Sequence, residues 1–145
     1  MKSYRQVINL ISKGEHSSLS GDKCELCGVV AEFEKSPIPT VVCLCGSTRF
    51  KEHFESAMRD ETLKGNIVLS VGLFGHMEGL DMSGDTKKML DELHLHKIDM
   101  ADEVLVINIG DYIGESTARE ICYAQVTQKP VRFLEPHLER MCPYG

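Results

Sequence analysis

The 145-residue sequence contains no tryptophan, and aromatic residues make up only 6% of it. Long hydrophobic runs are also missing, because no apolar stretch approaches the roughly 18 residues needed for a membrane span. The first residues, MKSYRQVINLISKGE, lack the apolar core of a signal peptide. We therefore expect a cytoplasmic protein that does not enter a membrane.

Basic residues are also fewer than acidic residues. The chain carries 16 Lys and Arg residues against 22 Asp and Glu residues, a net charge of −6. A face that binds a nucleic-acid polymer needs a basic stripe, so this class of partner is not expected. Neither a GxGxxG nor a Walker A motif is present, which disfavours the usual dinucleotide-binding and P-loop sites.

Strand-like and helix-like segments alternate along most of the chain. The predicted strands are Thr40–Leu44, Asn66–Val71, Glu103–Ile109 and Val131–Leu134. The predicted helices are 50–64, 86–100 and 118–128. This order predicts an α/β fold with a doubly wound, Rossmann-like or flavodoxin-like parallel sheet of four or five strands. The unbroken apolar character of Thr40–Leu44 and Glu103–Ile109 places these two strands at the centre.

The N-terminal segment, residues 1–38, is predicted to be an appendage to a main domain formed by residues 39–145. It contains a CxxC turn, Cys24 and Cys27, which has the shape of a zinc knuckle. Structural zinc needs four ligands, and the sequence offers no second CxxC. The remaining candidate ligands have no recognisable ligand spacing; they are His16, Cys43, Cys45 and Cys142. The default expectation is therefore no cofactor and a turn without metal, with a structural zinc at these thiols as the alternative.

A Gly-Ser-Thr turn follows the first central strand. Gly46 allows close backbone approach, Ser47 and Thr48 offer hydroxyls, and Arg49 can bind an oxyanion bidentately. Such a turn between a buried strand and a helix is typical of a phosphate or ribose site. A Ser-Thr pair is also an ordinary helix cap, so both interpretations stay open.

The second candidate loop is Gly110–Ala124, reading GDYIGESTAREICYA, after the other central strand. Its helix start presents backbone N–H groups and the positive end of the helix dipole. Ser116 and Thr117 can cap this helix, with Glu120 as the distal partner of a capping box. Glu120 is therefore either a structural cap or a functional carboxylate.

The opening VVCLCGSTR, the KIDMADEVLVIN strand entry and the run Glu-Ile-Cys-Tyr-Ala (120–124) together resemble the nucleoside 2-deoxyribosyltransferase superfamily, which includes 2'-deoxynucleoside 5'-phosphate N-hydrolases. The resemblance covers roughly residues 41–134. It implies an enzyme that cleaves the N-glycosidic bond of a small nucleoside or nucleotide by hydrolysis or transfer. Glu120 takes the position of the nucleophile, whose attack forms a covalent glycosyl ester.

The resemblance also implies an acidic group that protonates the leaving base or organises the sugar. Where relatives have an aspartate, this chain has His94, which could itself act as the acid. Asp99 or Asp91 could substitute for that aspartate from a shifted register.

Substrate-binding roles are implied for both loops, and Ser116 and Thr117 match the positions that hold the phosphate in the hydrolases. The residues concerned are Gly46, Ser47, Thr48, Arg49, Gly114, Ser116 and Thr117. Relatives are commonly homodimers or higher homo-oligomers, so self-association is implied too. The alternative function is a non-catalytic module that binds or senses nucleotides on the same fold.

Overall fold

The computed structural model describes residues 36–74, 79 and 84–137. Cys24, Cys27 and the rest of the predicted appendage up to residue 35 lie outside the described residues, so the zinc-knuckle interpretation stays a prediction.

Strands and helices alternate in the described part of the chain. The strands are β1 (Val41–Gly46), β2 (Ile67–Leu69), β3 (Glu103–Ile107) and β4 (Val131–Phe133). The helices are α1 (Lys51–Leu63), α2 (Gly84–Met100) and α3 (Glu115–Val126), with short 3₁₀ turns at Thr48–Phe50 and Ile109–Asp111. None of these helices combines the length and the apolar character that a membrane span needs.

The four described strands form one parallel sheet in the order β2-β1-β3-β4. β1 pairs with β3 from Val42 opposite Glu103 to Gly46 opposite Ile107. The predicted parallel sheet and its two central strands are therefore confirmed. In such a sheet the carboxyl ends of the strands share one edge, where the loops after β1 and β3 meet.

Alternating side chains of β1 face opposite sides of the sheet. Val42 and Leu44 pack with Phe54 of α1 on one side. Cys43 and Cys45 pack on the other side, in a cluster that includes residues of α2 and α3. Helices thus cover both faces, which is why the central strands are apolar throughout.

An ion network connects α1 to β3 and β4. The buried Glu61 carboxylate accepts from Arg132 Nη2 at 2.8 Å, and Arg132 Nε donates to Glu103 at 2.8 Å. Lys64 and Asn66 donate to the two Glu61 oxygens at 2.8 Å each. Because the carboxylate is saturated with donors, its burial at the end of α1 is tolerated.

The third helix begins three residues earlier than the predicted start at residue 118. Gly114 is its N-cap residue, with extended backbone angles and no capping side chain. Ser116 and Thr117 consequently lie within the first helical turn, and Thr117 is buried. The predicted capping role of these two hydroxyls is therefore wrong, whereas Glu115 supplies the acidic residue that favours a helix start.

Candidate functional site

Two rows of polar side chains face each other between α2 and α3. Lys87, Asp91 and His94 follow one another at helical spacing on α2, and Ser116 and Glu120 lie one turn apart on α3. Both helices begin at the carboxyl edge of the sheet, because each runs antiparallel to the strands. The rows therefore lead from that edge towards the interior.

The outer part of this polar strip is an exposed network. Lys87 Nζ lies 2.6 Å from Asp91 Oδ2 and donates to Ser116 Oγ at 3.1 Å. These contacts join the first turns of α2 and α3. They place a cation, a carboxylate and a hydroxyl together at the edge where ligands bind in doubly wound sheets.

The inner part is the pair formed by His94 and Glu120. His94 Nε2 lies 3.8 Å from Glu120 Oε2, and the two side chains are only 7% and 13% exposed. Glu120 is the sixth residue of α3, so it lies a full turn beyond the first N–H groups that a cap satisfies. The capping-box interpretation of Glu120 is therefore wrong.

Two free, buried cysteines of β1 lie directly beneath this pair. Cys45 Sγ is 3.3 Å and Cys43 Sγ is 3.9 Å from His94 Nε2. The two sulfurs and a ring nitrogen of His94 all lie within 4.8 Å of one another. Cys45 is the penultimate residue of β1, so the cluster lies just below the carboxyl edge.

The pKa values of the two cysteines are shifted in opposite directions. The Cys45 thiol hydrogen-bonds to Cys43 and, with His94, lowers the pKa of Cys43 to about 5 despite its burial. The same bond, burial and the facing Glu120 carboxylate raise the pKa of Cys45. Although Cys45 is the closer to His94, it also faces Glu120, which disfavours a thiolate at Cys45 relative to Cys43.

Burial and neighbouring charges have opposing effects on the pKa values of His94 and Glu120. Burial opposes the charged form of His94, but Cys43 and Glu120 outweigh it and raise the pKa of His94. Burial also raises the pKa of Glu120, against the opposing effects of His94 and Cys45. The ionisation of each of these four groups therefore depends on the charges of its neighbours among the other three.

The loops after β1 and β3 meet at Arg49 and Tyr112. Arg49 Nη2 donates to the Tyr112 hydroxyl at 3.1 Å, and its guanidinium carbon lies 4.2 Å from the ring centroid. A groove of about 430 Å³ lies beside this contact. It is lined by Arg49, Phe50, Lys51, Glu52, His53 and Glu55, so it includes the predicted oxyanion-binding arginine but neither His94 nor Glu120.

The other predicted residues of the Gly-Ser-Thr turn take part in strand packing and in the backbone of the 3₁₀ turn. A Cβ on Gly46 would lie 2.9 Å from the Ile107 carbonyl oxygen and 3.2 Å from Phe54, so this glycine permits close strand packing. The Ser47 carbonyl accepts from Phe50 N at 3.0 Å, and Thr48 begins the 3₁₀ turn.

Asp99 is not brought to the polar strip. It lies at the far end of α2, where its carboxylate accepts from the Tyr123 hydroxyl at 2.8 Å. Asp91, the other aspartate considered for this role, lies one helical turn from His94 and contributes to the raised pKa of Glu120.

The sequence did not single out Lys87 or Tyr112 as site residues, and it offered Cys43 and Cys45 only as possible zinc ligands without a recognisable spacing. The i, i+2 spacing of the cysteines on a strand was the available signal, because it places both thiols on one face. The histidine that meets them is 49 residues further along the chain than Cys45.

Comparisons with known proteins add no family to these observations. No family model matches the chain, and neither a curated protein nor a solved structure matches it significantly.

Proposed function

We propose that this protein cleaves the N-glycosidic bond of a small deoxynucleoside or nucleotide, with Glu120 as the nucleophile. The observation that carries the proposal is the contact of Glu120 with His94, at 3.8 Å, just below the carboxyl edge of the sheet. A carboxylate beside an imidazole supplies the nucleophile and the acid that this reaction requires. The rejection of the capping role leaves Glu120 without a structural duty at its helix start.

The reaction proceeds in two steps, formation and hydrolysis of a glycosyl ester. A Glu120 oxygen attacks the anomeric carbon as the carbon–nitrogen bond breaks, and the bonding electron pair goes to the base nitrogen. The departing base takes a proton from His94. Water then attacks the glycosyl ester, returns a proton to His94 and releases Glu120 and the free sugar.

The outer network positions the substrate. Asp91 accepts a sugar hydroxyl, while Lys87 and Ser116 donate to the sugar or its 5'-phosphate at the first turn of α3. Arg49, on the adjacent loop, reaches the phosphate as a bidentate donor. The first N–H groups of α3, which have no capping side chain, contribute the favourable end of a helix dipole.

One observation favours the alternative, a module that binds nucleotides without cleaving them. The Glu120 side chain is only 13% exposed and is hydrogen-bonded to Cys45, so it is partly engaged inside the protein. Both functions share the same edge and the same outer network. They differ in whether base is released.

The deciding experiment incubates the full chain with each 2'-deoxynucleoside and its 5'-monophosphate and measures free base by chromatography. The proposal expects base release from at least one monophosphate, in proportion to enzyme concentration. Calorimetric binding of a monophosphate with no base released would overturn the enzymatic proposal and support the binding module. Neither binding nor release across the panel would overturn both.

A further inference from the structure

The cysteine pair of β1 has no part in the proposed cleavage. Cys43 and Cys45 are 0% exposed, so neither sulfur is open to attack a substrate. Buried thiols more commonly act as small apolar residues, but these two face an imidazole and a carboxylate. This combination of donors has the composition of a zinc site.

We infer that Cys43, Cys45, His94 and Glu120 form a binding site for Zn²⁺ inside the domain. The strand and the two helices supply the donors from three separate elements, and β1 supplies two of them from one face. None of its four donors belongs to the N-terminal CxxC sequence.

The spacing of the donors fits a tetrahedral ion. Zinc bond lengths of about 2.3 Å to sulfur and about 2.1 Å to nitrogen place these ligand atoms about 3.5 Å apart. The distances from His94 Nε2 to the sulfurs of Cys45 and Cys43 are 3.3 Å and 3.9 Å, on either side of this value. The two sulfurs lie no more than 4.8 Å apart, against about 3.8 Å around a tetrahedral zinc ion, so binding requires the thiol side chains to move together by no more than about 1 Å.

Glu120 would supply the fourth ligand. Its Oε2 atom lies 3.8 Å from His94 Nε2 and its carboxylate faces Cys45. The close-set group comprises only the two sulfurs and the imidazole, so the carboxylate has to move towards the sulfurs to bind the ion. Two thiolates, a carboxylate and a neutral imidazole carry three negative charges, which a divalent cation reduces to one. Since thiolate sulfur and imidazole nitrogen prefer borderline-soft ions, the set favours Zn²⁺ over Mg²⁺ or Ca²⁺.

The test is a titration of the reduced, metal-free full chain with Co²⁺, which reports thiolate ligands by their charge-transfer absorption. Zn²⁺ should then displace the cobalt and abolish this absorption. The Cys43→Ser/Cys45→Ser variant should bind Co²⁺ at least about 100-fold more weakly, whereas the matched Cys24→Ser/Cys27→Ser variant should retain one equivalent with the wild-type spectrum.

Two further measurements keep the inference testable if the Cys43→Ser/Cys45→Ser variant does not fold. X-ray absorption of the zinc-loaded Cys24→Ser/Cys27→Ser protein should show two sulfur and two nitrogen or oxygen neighbours. His94→Gln, which leaves all thiols in place, should weaken Co²⁺ binding at least about tenfold while circular dichroism remains that of the wild type. The inference is overturned by a wild-type chain without a thiolate–cobalt band, or by loss of binding in the Cys24→Ser/Cys27→Ser control. It is also overturned by unchanged affinity in His94→Gln.

Discussion

Glu120 Oε2 lies 3.8 Å from His94 Nε2, across the contact between α3 and α2. The two residues are 26 positions apart in sequence, and each emerges from a helix whose first turn carries exposed polar groups. This pair connects the outer network of Lys87, Asp91 and Ser116 to the buried cysteines. Both the proposed cleavage and the proposed zinc site therefore depend on this pair.

Replacing Glu120 with Gln should reduce base release by orders of magnitude. The amide keeps the shape of the side chain but lacks the negative charge needed to form a glycosyl ester. The free energy of unfolding should change by less than about 1 kcal/mol, because the amide has the same size, removes no helix cap and keeps a carbonyl oxygen that can accept from the neighbouring thiol. Single-turnover base release and urea denaturation measure the two effects.

Glu115→Gln is the matched control on the same helix. Its side chain is 91% exposed, and its nearest cation, Arg119, is 3.9 Å away. Activity should remain at the wild-type level, and the free energy of unfolding should fall by no more than about 0.5 kcal/mol, as expected for an exposed acidic residue at a helix start. Undiminished turnover in Glu120→Gln would exclude Glu120 as the nucleophile.

Replacing Arg49 with Ala should weaken binding of nucleoside monophosphates by about 1.5–3 kcal/mol, the range for a charge-assisted hydrogen bond. Binding of the free nucleosides should hardly change. Isothermal titration with each matched pair of ligands measures the difference.

Arg59→Ala provides the control, since the Arg59 side chain is 72% exposed and its Nε atom lies 4.0 Å from Asp60 Oδ1. It should bind both ligand classes like the wild type. If Arg49→Ala instead weakens nucleosides and monophosphates equally, Arg49 acts by holding the Tyr112 loop rather than by contacting phosphate.

The fold was more accessible to sequence reasoning than the site. The apolar runs around Cys43 and Val104 identified both central strands, because burial on two faces requires such runs. The start of α3 was missed, since Gly114 caps it without a side-chain hydrogen bond and leaves no capping signature in the sequence.

The site depends on contacts between distant segments, which periodicity does not reveal. His94 and Glu120 were named from the family resemblance, whereas the contact of His94 with Cys45 follows only from how α2 lies on the sheet. Gly46 was expected to admit a ligand, but the space beside it is filled by Ile107 and Phe54.

Gly46→Ala should therefore destabilise the fold by about 1–3 kcal/mol through overpacking against backbone. The added Cβ would meet the Ile107 carbonyl oxygen at 2.9 Å, and this oxygen belongs to the backbone of the paired strand β3, which cannot give way as a flexible side chain would. Gly72→Ala is the control, because its Cβ would meet only Lys97 Nζ, at 3.9 Å. Chemical denaturation compares the two, and equal stability of both variants would contradict the packing role.

If both proposals hold, bound Zn²⁺ occupies the two groups that cleavage uses. Added Zn²⁺ should then inhibit base release, and a chelator should restore it, with the inhibition constant equal to the zinc dissociation constant. The Cys43→Ser/Cys45→Ser variant should retain base release and resist this inhibition. Inhibition that persists unchanged in a folded variant would show that zinc acts elsewhere.

The buried Glu61 carboxylate should make the protein sensitive to acid. Burial alone raises its pKa, but hydrogen bonds from Lys64, Arg132 and Asn66 outweigh burial and lower it from 4.5 to about 2. Because the folded-state pKa lies below the unfolded one, this stabilisation is complete above about pH 5 and is lost as the pH falls towards 2. The lowered pKa corresponds to a stabilisation of the folded state on the order of 3 kcal/mol.

Urea denaturation of wild type and Glu61→Gln between pH 7 and pH 2.5 should show a stability difference that shrinks with falling pH. Glu55→Gln, an exposed change on the same helix, should follow the wild-type curve. A difference between wild type and Glu61→Gln that stays constant down to pH 2.5 would mean that the network contributes shape rather than charge.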